Sequence, residues 1–522
     1  MQTAQLLLLL LIVVAALVSL AHRLRTPYPA LLLVGGLALG AIPGVPHVEL
    51  PPDSVLLLVL PPIVYFGAFF TPIRSFRADL GNIVSLAIGL VLASTAAVAG
   101  VALVIVPGMT VPVAIALGAI VSPPDEVAAM AVMERLAVPR RLIALLQGES
   151  LLNDATALTV YHVALSAAVV ATPLLGPEPI GRFLAICAGG VAIGLAVGWL
   201  VAHVRTRLSD LPVELTVSLL TPYAAYLPAE VLGASGVLAA VTAGLYLGRR
   251  ASRIMGSDVR LAGRAVWEML IFLLNGIVFL LIGLQIAVLV RAMGRAALIR
   301  LVAVGLVVSV TLLAVRAFWI TGIAAWQRIG SRRESALHPA EIAVLSWSGM
   351  RGAVSLAAAL AMPLALPGGS PLPAREAVIV ITFTVILVTL VGQGVSLPFL
   401  IKAVRIGGDA GARAEEQQAR RELVDEAVRR IDELFERWPG HRPLLDQLRT
   451  TYLHRAEHFG QFDDVPESAA EQELVEHRLI RRSVIDAQRD AVLVMRDRGA
   501  IDDDVLRTLE RELDLEEARM EA

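Results

Sequence analysis

Apolar residues along this chain come in runs too long for a soluble helix, and each run is closed by proline, glycine or clustered arginine. The runs predict membrane-spanning helices near 4–21, 28–44, 54–71, 82–106, 111–133, 142–171, 181–204, 213–232, 233–248, 265–289, 297–323, 340–363 and 376–403. About 20 mostly apolar residues cross a ~30 Å hydrocarbon core, so these ranges make about thirteen transmembrane helices. Pro222, Pro228 and Gly233 interrupt the apolar region shared by the eighth and ninth ranges and blur their division. The first run has no basic residue before it, while Arg23 and Arg25 follow it, so it is read as a retained helix rather than a signal peptide.

From residue 404 the period changes to that of amphipathic soluble helix, as in Glu422 to Val428 and Leu474 to Ile480, with breaks at Pro439-Gly440 and Pro466. Gly499 is expected to close one helix and the Asp502-Asp503-Asp504 run to cap the next, with Val505, Leu506, Leu509 and Leu513 on one face. The expected organisation is a membrane domain over 1–403 and a soluble helical tail over 404–522.

Composition agrees with this division. The 522 residues are 57% hydrophobic and 17% charged, with a mean hydropathy of +0.72. That excludes a soluble enzyme domain, a nucleic-acid binder and a secreted disulfide scaffold. Of 46 acidic residues 17 precede residue 404 and 29 follow, so two chemistries join there. The single cysteine, Cys187, sits between Ile and Ala and reads as a small apolar helix residue.

Arginines set the orientation, because short cytoplasmic loops hold the excess of basic residues. One set of alternate loops holds Arg23 and Arg25; Arg74 and Arg77; Arg135, Arg140 and Arg141; Arg205 and Arg207; Arg249 to Arg264; and Arg328 to Arg333. The other set holds few. The expectation is an N-terminus outside and a C-terminus in the cytoplasm.

An ionisable side chain at membrane depth costs on the order of 2.5–3.5 kcal/mol on insertion scales, so such residues point to function. They converge in three ranges: Asp125 and Glu126 in the fifth, Glu149 and Asp154 in the sixth, Arg351 in the twelfth. Pro123-Pro124 removes two backbone donors, so the fifth helix must unwind there and free carbonyls, including that of Pro124, beside a carboxylate. Such oxygens suit a small hard cation. In the sixth helix Ser150 and Asp154 are four apart, as are Glu149 and Asn153, so the pairs form adjacent stripes. One stripe can take a cation while the other is tied to protein. Glu149 and Arg351 are expected to neutralise each other as a buried ion pair. Asp125 either caps the half-helix beyond the break or lines the ion path. Arg316, His162 and Glu230 read as satisfied structural residues.

With those residues in view, the chain resembles the NhaP-type bacterial sodium/proton antiporters, relatives of animal sodium/proton exchangers. The likeness covers 1–403. It rests on Leu60-Pro61-Pro62, Ser122-Pro123-Pro124-Asp125, Gly148-Glu149-Ser150-Leu151-Leu152-Asn153-Asp154, Ser235 to Ala239, Asn275-Gly276 with Gly283-Leu284-Gln285, and Met350 to Leu356. The resemblance implies an all-α fold with two inverted six-helix repeats and discontinuous core helices. It also implies a homodimer in the bacterial plasma membrane, and a core that moves like an elevator against the dimer scaffold. Asp154 would be the carboxylate shared by proton and cation, Ser150 and Asp125 would complete the site, Asn153 would mark the electroneutral class, and Glu149 would pair with Arg351. Two departures stand out. Proline, not threonine, is at 124, and Glu126 stands where the family has proline; Phe66 stands where the family usually has an acid. Glu126 is therefore expected either to take over part of the missing acid's role or to attract cations from the cytoplasmic funnel.

The function expected is exchange of cytoplasmic Na⁺, or K⁺ or Li⁺, for external H⁺, without cofactor or resident metal. A polytopic membrane enzyme is the rival from another class, but the chain lacks His-Glu-x-x-His, Gly-x-Ser-x-Gly and any Ser or Cys nucleophile paired with His at helix depth. A cation channel is the other rival.

Overall fold

The computed structural model describes residues 2–24, 26–42, 52–125, 129–130, 133, 136, 138–170, 177–208, 210–329, 337–366, 370–406, 410–460, 467–498, 500 and 503–521. It divides into two compact units, 1–409 and 410–522.

Helix dominates the first unit. Its elements are α1 (Gln2–Leu24), α2 (Tyr28–Gly40), α3 (Pro52–Phe70), the short α4 (Ile73–Ala78), α5 (Leu80–Ile105), α6 (Val111–Val121), α7 (Arg140–Val170), α8 (Pro177–Arg205) and α9 (Leu211–Val231). They are followed by α10 (Gly236–Ile254), α11 (Ser257–Ala292), α12 (Arg295–Ile329), α13 (Pro339–Trp347), α14 (Ala353–Leu360) and α15 (Arg375–Ala403). Among the described residues five of these, α5, α8, α11, α12 and α15, are long and apolar enough to cross a membrane unaided by a neighbour. Helix lies on every apolar range of the sequence, with interruptions in the fifth and twelfth.

The starts of these helices follow local chemistry. Pro29, Pro112, Pro212 and Pro339 occupy the first turn of α2, α6, α9 and α13, where a missing N–H costs nothing. Ser235 caps α10 by accepting from Leu238 N at 3.3 Å. Glu341 reaches back to His338 N at 2.8 Å to open α13. The boundary between the eighth and ninth ranges is set by Gly233, whose φ of +71° a side chain would resist; Pro222 and Pro228 stay inside α9.

Small residues let the helices close on one another. At the crossing of α2 and α11, a Cβ on Gly36 would lie 3.0 Å from Gly283 Cα and collide with the Leu280 carbonyl. Gly118 of α6 rests in the same way on the Thr95 backbone of α5. Buried residues of α2, α5, α6, α7 and α11 belong to one large apolar cluster, into which these close approaches fit.

In the second unit α16 (Ala410–Arg437), α17 (Arg442–Gly460), α18 (Glu467–Asp497) and α19 (Asp503–Glu521) are amphipathic helices. A single turn at Pro439–His441 separates α16 from α17. Ile485 and Val492 of α18 pack on Leu506, Leu509 and Leu513 of α19, whereas Val505, expected on that face, is exposed. Pro466, Gly499 and Asp502 lie outside the described residues.

Candidate functional site

Two helix breaks meet beside α7. The first follows Val121: Pro123 and Pro124 supply no N–H, and residues 122–125 leave the helical path. The second separates α13 from α14 across Ser348 to Gly352, a stretch with no proline but two glycines. The breaks hold each other open. Asp125 N donates to Met350 O at 2.7 Å, and Arg351 Nε donates to Val121 O at 2.9 Å, a carbonyl at the C-terminal end of α6. Arg351 therefore sits where cationic charge complements a helix C-terminus, and its Nη1 also donates to Gly349 O. Its main-chain N donates to Thr389 Oγ1 at 3.1 Å, and Thr389 lies in a wide π-type turn, Val388–Gln393, within α15. The Asp125 side chain lies directly against Gly352 at the start of α14, leaving no room for a Cβ there. Ser122 Oγ donates to Gly118 O at 2.6 Å and shares a 3.1 Å hydrogen bond with Thr95.

Helix α7 offers its two stripes to different surroundings. Glu149 and Asn153 are fully buried in protein. Asn153 Nδ2 donates to Pro124 O at 3.0 Å, so one of the carbonyl's two acceptor positions is taken by α7. Ser150 and Asp154, on the neighbouring stripe, line a cavity with Asp125, Pro124, Gly352 and Ser355, closed on one side by Leu60, Ile63 and Val64 of α3. Asp154 is half-buried there. Asn275 of α11 also lines the cavity, and its buried Nδ2 has no hydrogen-bond partner among the described residues.

One expected pairing is corrected. Glu149 is held by Arg316 of α12, not by Arg351: Nη1 and Nη2 of Arg316 reach Oε1 and Oε2 at 2.5 and 2.8 Å, and its Nε donates to Leu345 O at 2.8 Å. The guanidinium of Arg351 is engaged by backbone carbonyls instead, although Arg351 and Arg316 both pack against Gly349. A fork matched to a carboxylate spends its donors on two oxygens at once, which offsets the desolvation of both charges. Arg316 is a satisfied structural residue, as read from the sequence, but its partner was missed; the signal available was an arginine in the middle of a helix whose other arginines, Arg295, Arg300 and Arg328, lie towards its ends. Asn275, quoted only as part of a motif, and Thr389 were also missed.

The remaining candidates fall elsewhere. Glu126 lies outside the described residues. Phe66 belongs to an aromatic group with Phe70 and Trp267, ring centroids 4.8 and 6.2 Å away. Glu230 is structural, accepting from Gly236 N at 3.0 Å.

Residues 8–403 match the family described as sodium/hydrogen exchanger, transmembrane. The chain belongs to that family. An uncharacterized Na⁺/H⁺ exchanger of Mycobacterium tuberculosis strain H37Rv is 35% identical over 512 residues, covering 96% of this chain and 93% of the relative. The Na⁺/H⁺ antiporter ApNhaP of Aphanothece halophytica is 32% identical over 415 residues, 78% of this chain and 76% of its own. Among solved structures, the sodium proton antiporter MjNhaP1 of Methanocaldococcus jannaschii aligns with a TM-score of 0.61 over 77% of this chain and 99% of that one. At 20% identity that likeness speaks for the fold alone. The sodium/hydrogen exchanger chain is thus a multi-pass membrane protein, and the broken helices lie inside the matched region.

Proposed function

We propose that this exchanger is a secondary antiporter carrying cytoplasmic Na⁺, or K⁺ or Li⁺, outward in exchange for external H⁺, with proton and cation competing for Asp154. The observation that carries this reading is the meeting of Asp154, Ser150 and Asp125 in one cavity where two helices break. Ser150 Oγ and Asp125 complete the oxygen set directly or through water, and the Pro124 carbonyl has a second acceptor position beyond the one Asn153 uses. Glu126 contributes as an outer ligand or as a funnel charge.

Coupling follows from charge. An empty Asp154 carboxylate is expensive to carry through a low-dielectric barrier, while either a proton or a monovalent cation neutralises it. Only loaded forms move, and each load is worth one charge. Asn153, an amide where a second acid would add another charge, keeps the exchange electroneutral. The movement is an elevator-like displacement of the core helices against the scaffold of a homodimer, in a thirteen-helix arrangement of two inverted repeats. The N-terminus is outside, and the tail is a cytoplasmic regulatory module.

The test is dequenching of a pH-sensitive dye in acid-loaded vesicles titrated with Na⁺, K⁺ and Li⁺ in turn. Expected is cation-dependent proton efflux whose rate ignores an imposed membrane potential. Cation current without proton movement would replace the antiporter by a channel.

A further inference from the structure

A second cavity lies apart from the ion site, between α4, α8 and α10, with Phe76, Arg77, Leu195, Tyr246, Arg249 and Arg253 in its walls. Its chemistry is one-sided. Arg249 and Arg253 are four apart on the last turns of α10, so they share a face and repel; Arg77 of α4 stands at the same cavity. All three are exposed, and among the described residues none of them has a carboxylate partner. Arg250 is accounted for differently, lying over the Tyr246 ring at 4.4 Å.

The flank of this cluster is apolar. Leu195 of α8 is 45% exposed and Trp199, one turn further along the same stripe, is 58% exposed. Trp199 stacks on His203 towards the end of the helix that carries Arg205, a position of the kind Trp takes at a membrane interface. Unpaired guanidinium groups beside an exposed apolar wall complement a molecule that carries phosphate at one end and hydrocarbon at the other. A soluble anion uses the first and ignores the second.

We propose that this groove binds an anionic phospholipid, with Arg77, Arg249 and Arg253 on the headgroup phosphate and an acyl chain along Leu195 and Trp199. The leaflet, the cytoplasmic one, rests on the orientation proposed above; the binding itself does not. Basic pockets between membrane helices recognise anionic headgroups by this combination of charge and position.

The experiment is native mass spectrometry of the full-length protein released from vesicles of phosphatidylcholine and phosphatidylglycerol in equal parts. The wild type is expected to retain phosphatidylglycerol in excess over its bulk fraction. Each surface-proximal arginine is worth about a factor of five for an anionic lipid, so R77Q/R249Q/R253Q should lower that enrichment by about tenfold or more. The corresponding triple lysine variant should keep most of it. Equal retention by the glutamine triple would overturn the proposal. So would displacement of the lipid by inorganic phosphate, which would make the groove a general anion site. Capture of the chain's own acidic tail by a photo-crosslinker at Phe76, in place of lipid, would overturn it as well. Absence of ion exchange in the same vesicles would count against the antiporter reading and leave the lipid result standing.

Discussion

Arg316 grips both carboxylate oxygens of Glu149, at 2.5 and 2.8 Å, where the two side chains are 2% and 0% exposed. Breaking such a pair by removing one partner leaves a buried charge without compensation, a loss of about 3–5 kcal/mol. Arg316→Met is therefore expected to cut the amount of folded protein in the membrane severely, and the double variant Glu149→Gln/Arg316→Met to recover much of it. Combining Glu149→Gln with Arg351→Met should show no such recovery. Monodisperse protein yield and thermal unfolding of Arg316→Met, Arg351→Met and the two double variants form the measurement. Recovery confined to the Arg351 combination would assign the pair the other way.

Asp154→Asn should abolish exchange while leaving the assembled protein intact. The carboxamide keeps the shape and the polarity of the cavity wall but cannot alternate between a charge and a proton. Dye dequenching set against the elution profile in detergent separates the two effects. Wild-type turnover in this variant would remove Asp154 from the mechanism.

Gly352 has φ −119° and ψ −167°, extended backbone open to any residue, so its importance is steric. A methyl group there meets the Asp125 carboxylate at once. Gly352→Ala should therefore displace Asp125 from the start of α14 and slow exchange by about tenfold or more, since misplacing a group by about 1 Å already costs 10²-fold in well-positioned sites. Protein yield should change little. Normal exchange in Gly352→Ala would mean that Asp125 can leave Gly352 without consequence for transport.

Much of the fold was legible because lipid demands long apolar runs, and those runs mark helix positions directly. The first break was legible too, since Pro123-Pro124 forbids regular helix. The location of the second break was not. Ser348 to Gly352 contains no obligate helix breaker, and the chain opens there because Asp125 N, Val121 O and Thr389 Oγ1 supply the hydrogen bonds that a helix would otherwise make. Partner choice was hidden for a related reason. Arg316 and Arg351 both stand alone within apolar stretches of the sequence, and only the placement of the Arg316 side chain against α7 decides which one reaches Glu149. The stripes of α7, in contrast, followed from a spacing of four and nothing else.

The tail offers a comparison between burial and surface charge within one pair of helices. Leu513 is 8% exposed and packs on α18, while Arg489, half-buried at the surface of the pair, bridges from α18 to the exposed Asp514 and to Glu517 of α19 at 2.5 and 2.7 Å. An exposed ion pair contributes about 0–1 kcal/mol, whereas truncating a buried leucine costs about 2–5 kcal/mol, and an aspartate there adds the cost of an unpaired charge. Leu513→Asp is therefore expected to detach α19 from α18, seen as amide hydrogen exchange rising across residues 485–517. Arg489→Ala should leave that protection nearly unchanged and reduce it further only at low ionic strength, where surface charges are least screened. On the regulatory role proposed above for the tail, exchange of ions should persist in Leu513→Asp with an altered dependence on pH. Equal loss of protection in the two variants would show that the ion pairs, and not the leucine seam, hold these helices together.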